Sequence, residues 1–339
     1  MTQQPATLNH PEERQLTPVS LTDRGYPLVS VVMPAYNARP FIEESIASVL
    51  SQDYPSIELI VVDDGSSDGT TEAVARWGDR VKVIRQTNAG PAAARNRGIA
   101  QAQGEFLAFL DADDVWLPGK ISLQVQYLQD HPEVGVVFGD FLHWHAQTDG
   151  SFLRPPTPPE PNPHCAIEPA QSGWIYTDLL LDSTICIITA MVRRSVVQTV
   201  GGMDEALATG EDYDFWLRVS RQFRVHRSHC PLACYRLHAG GTTKVPRRED
   251  NEYKVLLRAL SAYGPVGPDH VAVPAGALRA RLYKLCFNHG YFHFRKGDPR
   301  VAQSAFSKAL HHAPLSPKAW VYWGLAVTRG RLPQHGPMT

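Results

Sequence analysis

The sequence predicts an α/β protein built on a doubly wound, mostly parallel sheet, with an α-helical C-terminal extension. Three observations lead there. Short apolar runs alternate with amphipathic segments between residues 28 and 138, two acidic clusters stand directly behind such runs, and from about Asp250 the apolar spacing is purely helical. Strands that alternate with helices pack as a parallel sheet covered on both faces.

Leu28–Met33 reads as a buried strand and is followed by Pro34-Ala35-Tyr36-Asn37. Phe41, Ile42, Ser45, Ile46, Val49 and Leu50 recur at helical spacing. Ile57–Val62 is a second strand that ends in Asp63-Asp64-Gly65-Ser66-Ser67-Asp68-Gly69-Thr70. A helix to about Trp77 and a short strand Val81–Arg85 come next. Gly90-Pro91 opens another helix, proline being preset for a first helical turn. Phe106–Leu110 is the fourth strand, and Val134–Phe138 a further one after a helix over about 118–130.

Asp111-Ala112-Asp113-Asp114 follows the Phe106–Leu110 run directly. Carboxylates crowded at a strand end repel one another and resist desolvation, so such a cluster calls for a cation. Oxygen ligands suit Mg²⁺ or Mn²⁺, which in turn can hold the oxygens of a diphosphate. Ligands of α/β sheets bind where parallel strands end. An Asp-rich solvated turn is the alternative for the motif alone.

With 339 residues, 43% of them hydrophobic and 9% aromatic, the chain can bury one large core and a small one. A formal net charge of −1 lacks the basic face that a nucleic-acid partner requires. No apolar run is long enough to span a membrane, and residues 1–20 lack the apolar centre of a signal peptide, so a cytoplasmic location is expected. Five cysteines are too scattered for a disulfide scaffold. Cys230 and Cys234, in an apolar strand-like stretch, read as small core residues rather than zinc ligands.

Residues 1–26 read as a flexible tail, 27–245 as the main domain and 246–339 as the helical region. The proline-rich segment 154–169 excludes helix and central strand and reads as an extended loop. In the helical region, Gly290-Tyr291, Ala302, Phe306, Ala309-Leu310 and Pro314 have a spacing similar to one tetratricopeptide-like helix pair. A single repeat cannot bury its own face and must pack on the main domain or a partner.

Taken together, residues 28–240 resemble a family 2 glycosyltransferase with the Rossmann-like glycosyltransferase A-type fold. VSVVMPAYN (29–37) is similar to the family's first strand and nucleotide loop, and VVDDGSSDGT (61–70) to its second motif. NAGPAAARNRGIA (88–100) resembles the third, and FLDADD (109–114) the metal-binding motif. Gly210-Glu211-Asp212 resembles the motif with the catalytic base, and Tyr235–His238 the motif closing the domain.

The resemblance implies an inverting, non-processive transfer of one sugar from a nucleotide-sugar donor, UDP-linked by expectation, to a hydroxyl of a glycan or lipid-linked acceptor. Surface polysaccharide biosynthesis is the expected setting. It implies nucleotide contacts at Pro34, Ala35, Tyr36, Asp64, Arg95, Asp111 and Asp113, with Asp64 accepting from the base and Arg95 reaching a phosphate. Asp113, Asp114 and His238 are the implied ligands of Mn²⁺ or Mg²⁺. Asp212 is the implied general base, assisted by Glu211. Asp63, Asp64, Ser67 and Asp68 also suit turn capping, which is the reading for Ser67 and Asp68, whereas nucleotide binding is the reading for Asp64. The segments 154–169 and 172–190 are expected along the acceptor side. The helical region is expected to offer a peripheral membrane or protein contact.

Two other readings exist. The Asp111–Val115 stretch also fits a dehalogenase-type phosphatase pattern, which leaves 61–70 and 210–216 unexplained. A catalytically degenerate nucleotide-binding or docking protein is the second, against which stands the retention of Asp64, Asp113 and Asp212.

Overall fold

The computed structural model describes residues 25–156, 167–168, 171–238, 240–241 and 247–331. The expected N-terminal tail and most of the proline-rich loop lie outside these residues.

The first half alternates as expected: β1 (Val29–Ala35), α1 (Ile42–Leu50), β2 (Ile57–Asp63), α2 (Thr70–Ala75), β3 (Val81–Arg85), α3 (Pro91–Gln101) and β4 (Phe106–Phe109). Then come β5 (Val115–Trp116), α4 (Lys120–Asp130), β6 (Val134–His145), α5 (Tyr176–Leu181), β7 (Met191–Arg193), α6 (Arg194–Val200), α7 (Glu211–Ser220) and β8 (Arg224–Leu237). The helical region comprises α8 (Asn251–Tyr263), α9 (Ala275–Lys296), α10 (Pro299–His312) and α11 (Pro317–Arg331).

One eight-stranded sheet has the order β3-β2-β1-β4-β7-β6-β8-β5. The pairs β1/β2, β1/β4, β2/β3 and β6/β8 are parallel, whereas β4/β7, β6/β7 and β5/β8 are antiparallel. The mostly parallel sheet is therefore as expected, with short antiparallel strands stitching its two parallel halves. The strand expected to end at Phe138 continues to His145, because register shifts around Asp140 carry it through Gly139-Asp140. Bulges of this kind bend and re-aim a strand.

Val29, Val31, Val32 and Met33 of β1 are fully buried, and α1 covers them with Ile42, Ile46 and Val49. Helix α3 lies especially close to the sheet at Gly98, where a Cβ would stand 2.4 Å from Val32 Cγ1. Only glycine permits that approach. It seats α3 so that Arg95, one turn earlier, is buried beneath the strand ends.

The helical region has two allegiances. Val255, Leu256 and Ala259 of α8, with Leu282 and Leu285 of α9, belong to the main core. Cys286 and Phe287 instead join Ala302, Phe306, Ala309, Ala319 and Ala326 in a second core. Asp250 caps α8 by accepting from Tyr253 N–H at 3.1 Å, and Asp298 caps α10 through Arg300 N–H at 2.8 Å. Such caps are worth about 1 kcal/mol each.

Cys230 is disulfide-bonded, which its reading as a small core residue does not foresee. Spacing alone does not reveal a cross-link. Cys186, Cys234 and Cys286 are free.

Candidate active site

The ends of β1, β2 and β4 lie side by side, so their following loops meet at one sheet edge. Pro34 and Ala35 remain in the ladder, opposite Val62 and Asp63. Tyr36, just beyond, is 55% exposed at this edge. The next two loops are sewn together by side chains. Asn37 N–H donates to Ser66 Oγ and Asn37 Oδ1 accepts from Ser67 N–H, both at 2.9 Å. Asp68 accepts from Arg39 N–H and Thr70 N–H, each at 3.0 Å, in keeping with its capping role.

Asp64 joins two loops. Its carboxylate is buried and accepts from the Gln86 amide, Ala89 N–H and Gly90 N–H, each at 2.8 Å. These donors use three of the about four acceptor positions of the carboxylate, and Asp64 thereby clamps the 86–90 loop that launches α3.

The second acidic cluster is held by two buried arginines. Arg95 reaches Asp111 and Glu211, at 2.6 Å each. Both terminal nitrogens of Arg95 are engaged by carboxylates, and the residue is only 4% exposed. Burial, reinforced by Asp113 and Glu211, raises the Asp111 pKa despite the opposing pull of Arg95.

Arg236 is the other anchor. Its backbone N–H donates to Asp114 Oδ1 at 2.6 Å, its Nε to the Asp113 carbonyl at 2.5 Å, and its NH2 to Glu44 at 2.7 Å. The guanidinium lies 3.9 Å from the Trp144 ring centroid and 4.8 Å from those of Phe41 and Phe152. A desolvated cation among aromatic faces is held by their quadrupoles. Asp114 is buried, with Oδ1 held by the Arg236 N–H and Oδ2 left without a hydrogen-bond partner. Burial first, and then Asp113 and Asp111, raise its pKa well above the usual carboxylate range. Asp113 points the other way, its Oδ2 lying 2.9 Å from His238 Nε2.

Glu211 and Asp212 open α7 behind Gly210, whose φ of +76° favours glycine. Asp212 accepts from Tyr213 N–H at 2.8 Å. A helix N-terminus lowers a carboxylate pKa, but here burial, followed by the charge of Glu211, lifts it to about 6 against the pull of Arg95. Asp214 faces elsewhere and pairs with Arg218 at 2.8 Å.

The model of glycosyl transferase family 2 matches residues 30–158. A curated relative from Escherichia coli, a UDP-Glc:alpha-D-GlcNAc-diphosphoundecaprenol beta-1,3-glucosyltransferase, is 30% identical over 263 residues, covering 76% of this chain and 90% of its own. The chain belongs to glycosyltransferase family 2. Some curated relatives are longer, and this glycosyltransferase spans 37% of one from Rickettsia felis. Staphylococcus aureus TarS (residues 1–349) in complex with UDP has a TM-score of 0.58 at 18% identity, covering 90% of this chain and 89% of that one. The Pyrobaculum calidifontis mannosyltransferase in complex with GDP-Man and Mn²⁺ has a TM-score of 0.52 at 20% identity, covering 94% and 83%. Both likenesses confirm the glycosyltransferase A-type fold.

The side chains of this glycosyltransferase fit a divalent cation in part. Asp114 Oδ2 is buried without a hydrogen-bond partner, and Asp113 with His238 forms a half-buried pair of ligating groups. No cluster of three or more His, Cys, Asp or Glu suited to a metal occurs among the described residues. Mg²⁺ and Mn²⁺ sites of this kind take one or two protein ligands and complete their sphere with substrate phosphates and water.

Arg236 and Glu44 are site neighbours to which motif reading assigns no role. Arg236 was in view inside Tyr235–His238, and an arginine two residues before a ligand-type histidine is the signal that could have flagged it. Nothing local marks Glu44, which lies 192 positions away in sequence.

Proposed function

We propose that the protein is an inverting, metal-dependent glycosyltransferase. It moves one sugar from a UDP-linked donor to a hydroxyl of a glycan or lipid-linked acceptor in surface polysaccharide biosynthesis. The observation that carries this reading is Asp212, a half-buried carboxylate with a pKa near 6 beside the Arg95–Asp111–Glu211 cluster. Such a group is ionised at neutral pH yet basic enough to take the acceptor's proton as the hydroxyl attacks the anomeric carbon.

Each other residue has a task in that reaction. Exposed Tyr36 stacks on the nucleobase beside Pro34 and Ala35, while Asp64 shapes the neighbouring loop rather than meeting the base. Asp111, held by Arg95, meets the ribose. Asp113, His238 and the unpartnered Oδ2 of Asp114 would hold the cation, while Asp114 Oδ1 secures the acidic turn to β8. A divalent ion there would neutralise charge on the diphosphate leaving group. Glu211 fixes Arg95 and with it the position of Asp111.

Residues 27–245 are read as the catalytic domain and 246–339 as an accessory helical region that supports α7. Asn251 Nδ2 donates to Thr209 Oγ1 at 3.0 Å, one residue before Gly210. No helix among the described residues is long and apolar enough to cross a membrane. We read the protein as cytoplasmic and peripheral at the inner membrane face.

The test is Asp212→Asn with UDP-sugar turnover and UDP–Mn²⁺ affinity measured together. Turnover should fall about 10²-fold or more, with affinity nearly unchanged. Near-normal turnover would move the base to another residue.

A further inference from the structure

Strands β6 and β8 run on together past the bulges at Asp140, pairing Phe141 with Ala233, His143 with Tyr235 and His145 with Leu237. Side chains alternate between the faces of a strand. Leu142 and Trp144 turn to one face, where they pack with Cys234 and Phe152 beneath the Arg236 cage. Phe141, His143, His145 and Tyr235 take the other.

That second face is a continuous aromatic strip. Ring centroids are 5.2 Å apart for Phe141–His143, 5.9 Å for Phe141–Tyr235, 6.4 Å for His143–Tyr235 and 6.1 Å for His143–His145. Phe141 and Tyr235 are half-buried against the main core, whereas His143 and His145 are exposed. Tyr235 flanks the strip between Phe141 and His143, and its chain neighbour Arg236 donates its backbone N–H to Asp114 Oδ1 at 2.6 Å, so the β8 side of the strip borders the acidic turn. Burial, and then the negative field of Asp114, Asp113 and Asp111, pushes the Tyr235 phenol up to about 12. At Phe141 the strip borders a cavity of about 370 Å³, edged by Asp140, Thr184 and Arg227, with Arg227 paired to Asp140 at 2.7 Å.

We propose that this strip and its cavity bind successive sugar units of a saccharide acceptor and lead its terminal hydroxyl to the catalytic centre. The proposal rests on the transferase reading above. A pyranose has an apolar C–H face and a polar rim. Flat rings match the face, while imidazoles and the Asp140–Arg227 pair can hydrogen-bond the rim. An acyl chain fits poorly, since it would desolvate the same imidazoles and ion pair without replacing their hydrogen bonds. The cavity falls in the size range of small-molecule sites, and Tyr235, 5.9 Å from Phe141 and next in the chain to Arg236, joins the strip to the acidic turn.

Saturation-transfer NMR on the full-length protein with UDP and Mn²⁺ tests this, using cellohexaose, chitohexaose and mannohexaose as probes. Transfer to sugar ring protons is expected, together with shifts of the His143 and His145 ring signals, assigned by single substitutions. Phe141→Ala should weaken saccharide binding at least about tenfold, a loss of about 1.4 kcal/mol. His143→Ala, at an exposed position with little effect on folding, should weaken it too. UDP–Mn²⁺ affinity should stay within about twofold in both, since neither residue is assigned to the donor site. Unmoved histidine signals with all three saccharides would overturn the proposal. So would shifts produced only by dodecylphosphocholine micelles, which would make the strip an acyl-chain surface. Failure of the unsubstituted protein to bind UDP would strike the transferase reading instead, and is read separately from the saccharide signals.

Discussion

Two acidic clusters share one sheet edge and are built in opposite ways. Asp63, Asp64 and Asp68 are satisfied by backbone N–H groups and neutral side chains close by, chiefly from the loops at 66–71 and 86–90. Asp111, Asp113, Asp114 and Glu211 depend instead on Arg95, Arg236 and His238, which arrive from distant parts of the chain. The first arrangement makes rigid loops. The second stores charge in a dry place, raising the pKa of Asp111, Asp114 and Asp212. Hydrogen-bonded carboxylates form scaffolding, whereas carboxylates crowded behind buried arginines are poised for chemistry.

The contrast breaks most visibly at Arg95. Arg95→Met would leave Asp111 and Glu211 facing each other without a cation, and stability should drop by about 3–5 kcal/mol. Urea unfolding measures it, and a loss below about 1 kcal/mol would mean that the cluster does not rely on this residue. Asp212→Asn is next in size for turnover, as set out above, and should have the reverse effect on stability. The folded-state pKa near 6 exceeds the ordinary 3.8, so the folded state binds more protons within that window. Stability contributed by this group is therefore present at low pH and lost as pH rises towards 6. Replacing it should raise neutral-pH stability by about 1–2 kcal/mol, seen as a higher Tm at pH 7 than at pH 4.5 relative to the unsubstituted protein.

A smaller and purely structural effect is expected at the first cluster. Asp64→Asn deprives Ala89 or Gly90 N–H of an acceptor and should cost about 1–3 kcal/mol. Faster amide exchange at those two residues would report it. A large loss of UDP affinity with unchanged exchange would return Asp64 to the base-binding role that the motif suggests. The smallest effect is on the pH profile: turnover should rise with an apparent pKa near 6, the ionisation of Asp212. A flat profile from pH 5 to 8 would separate that group from the rate-limiting step.

Much of the first half was legible because its signals are local. Alternating periods, Pro91 and the strand-end acids point to their elements within a few residues. β5 and β7, of two and three residues, have no period to read and exist through pairing with β8 and with β4 and β6. The motifs fall along one sheet edge, yet the protein partners of Asp64, Arg95 and Asp114 were not legible. Their partners Gln86, Glu211 and Arg236 lie 22, 116 and 122 positions away. Only the folded chain brings them together.

Leu285 and Cys286, neighbours on the 22-residue helix α9, belong to different cores. The boundary between the two cores thus runs through the middle of a rigid rod about 33 Å long. A hinge cannot form there without breaking the helix. The two parts should melt cooperatively, giving one calorimetric transition with equal calorimetric and van't Hoff enthalpies.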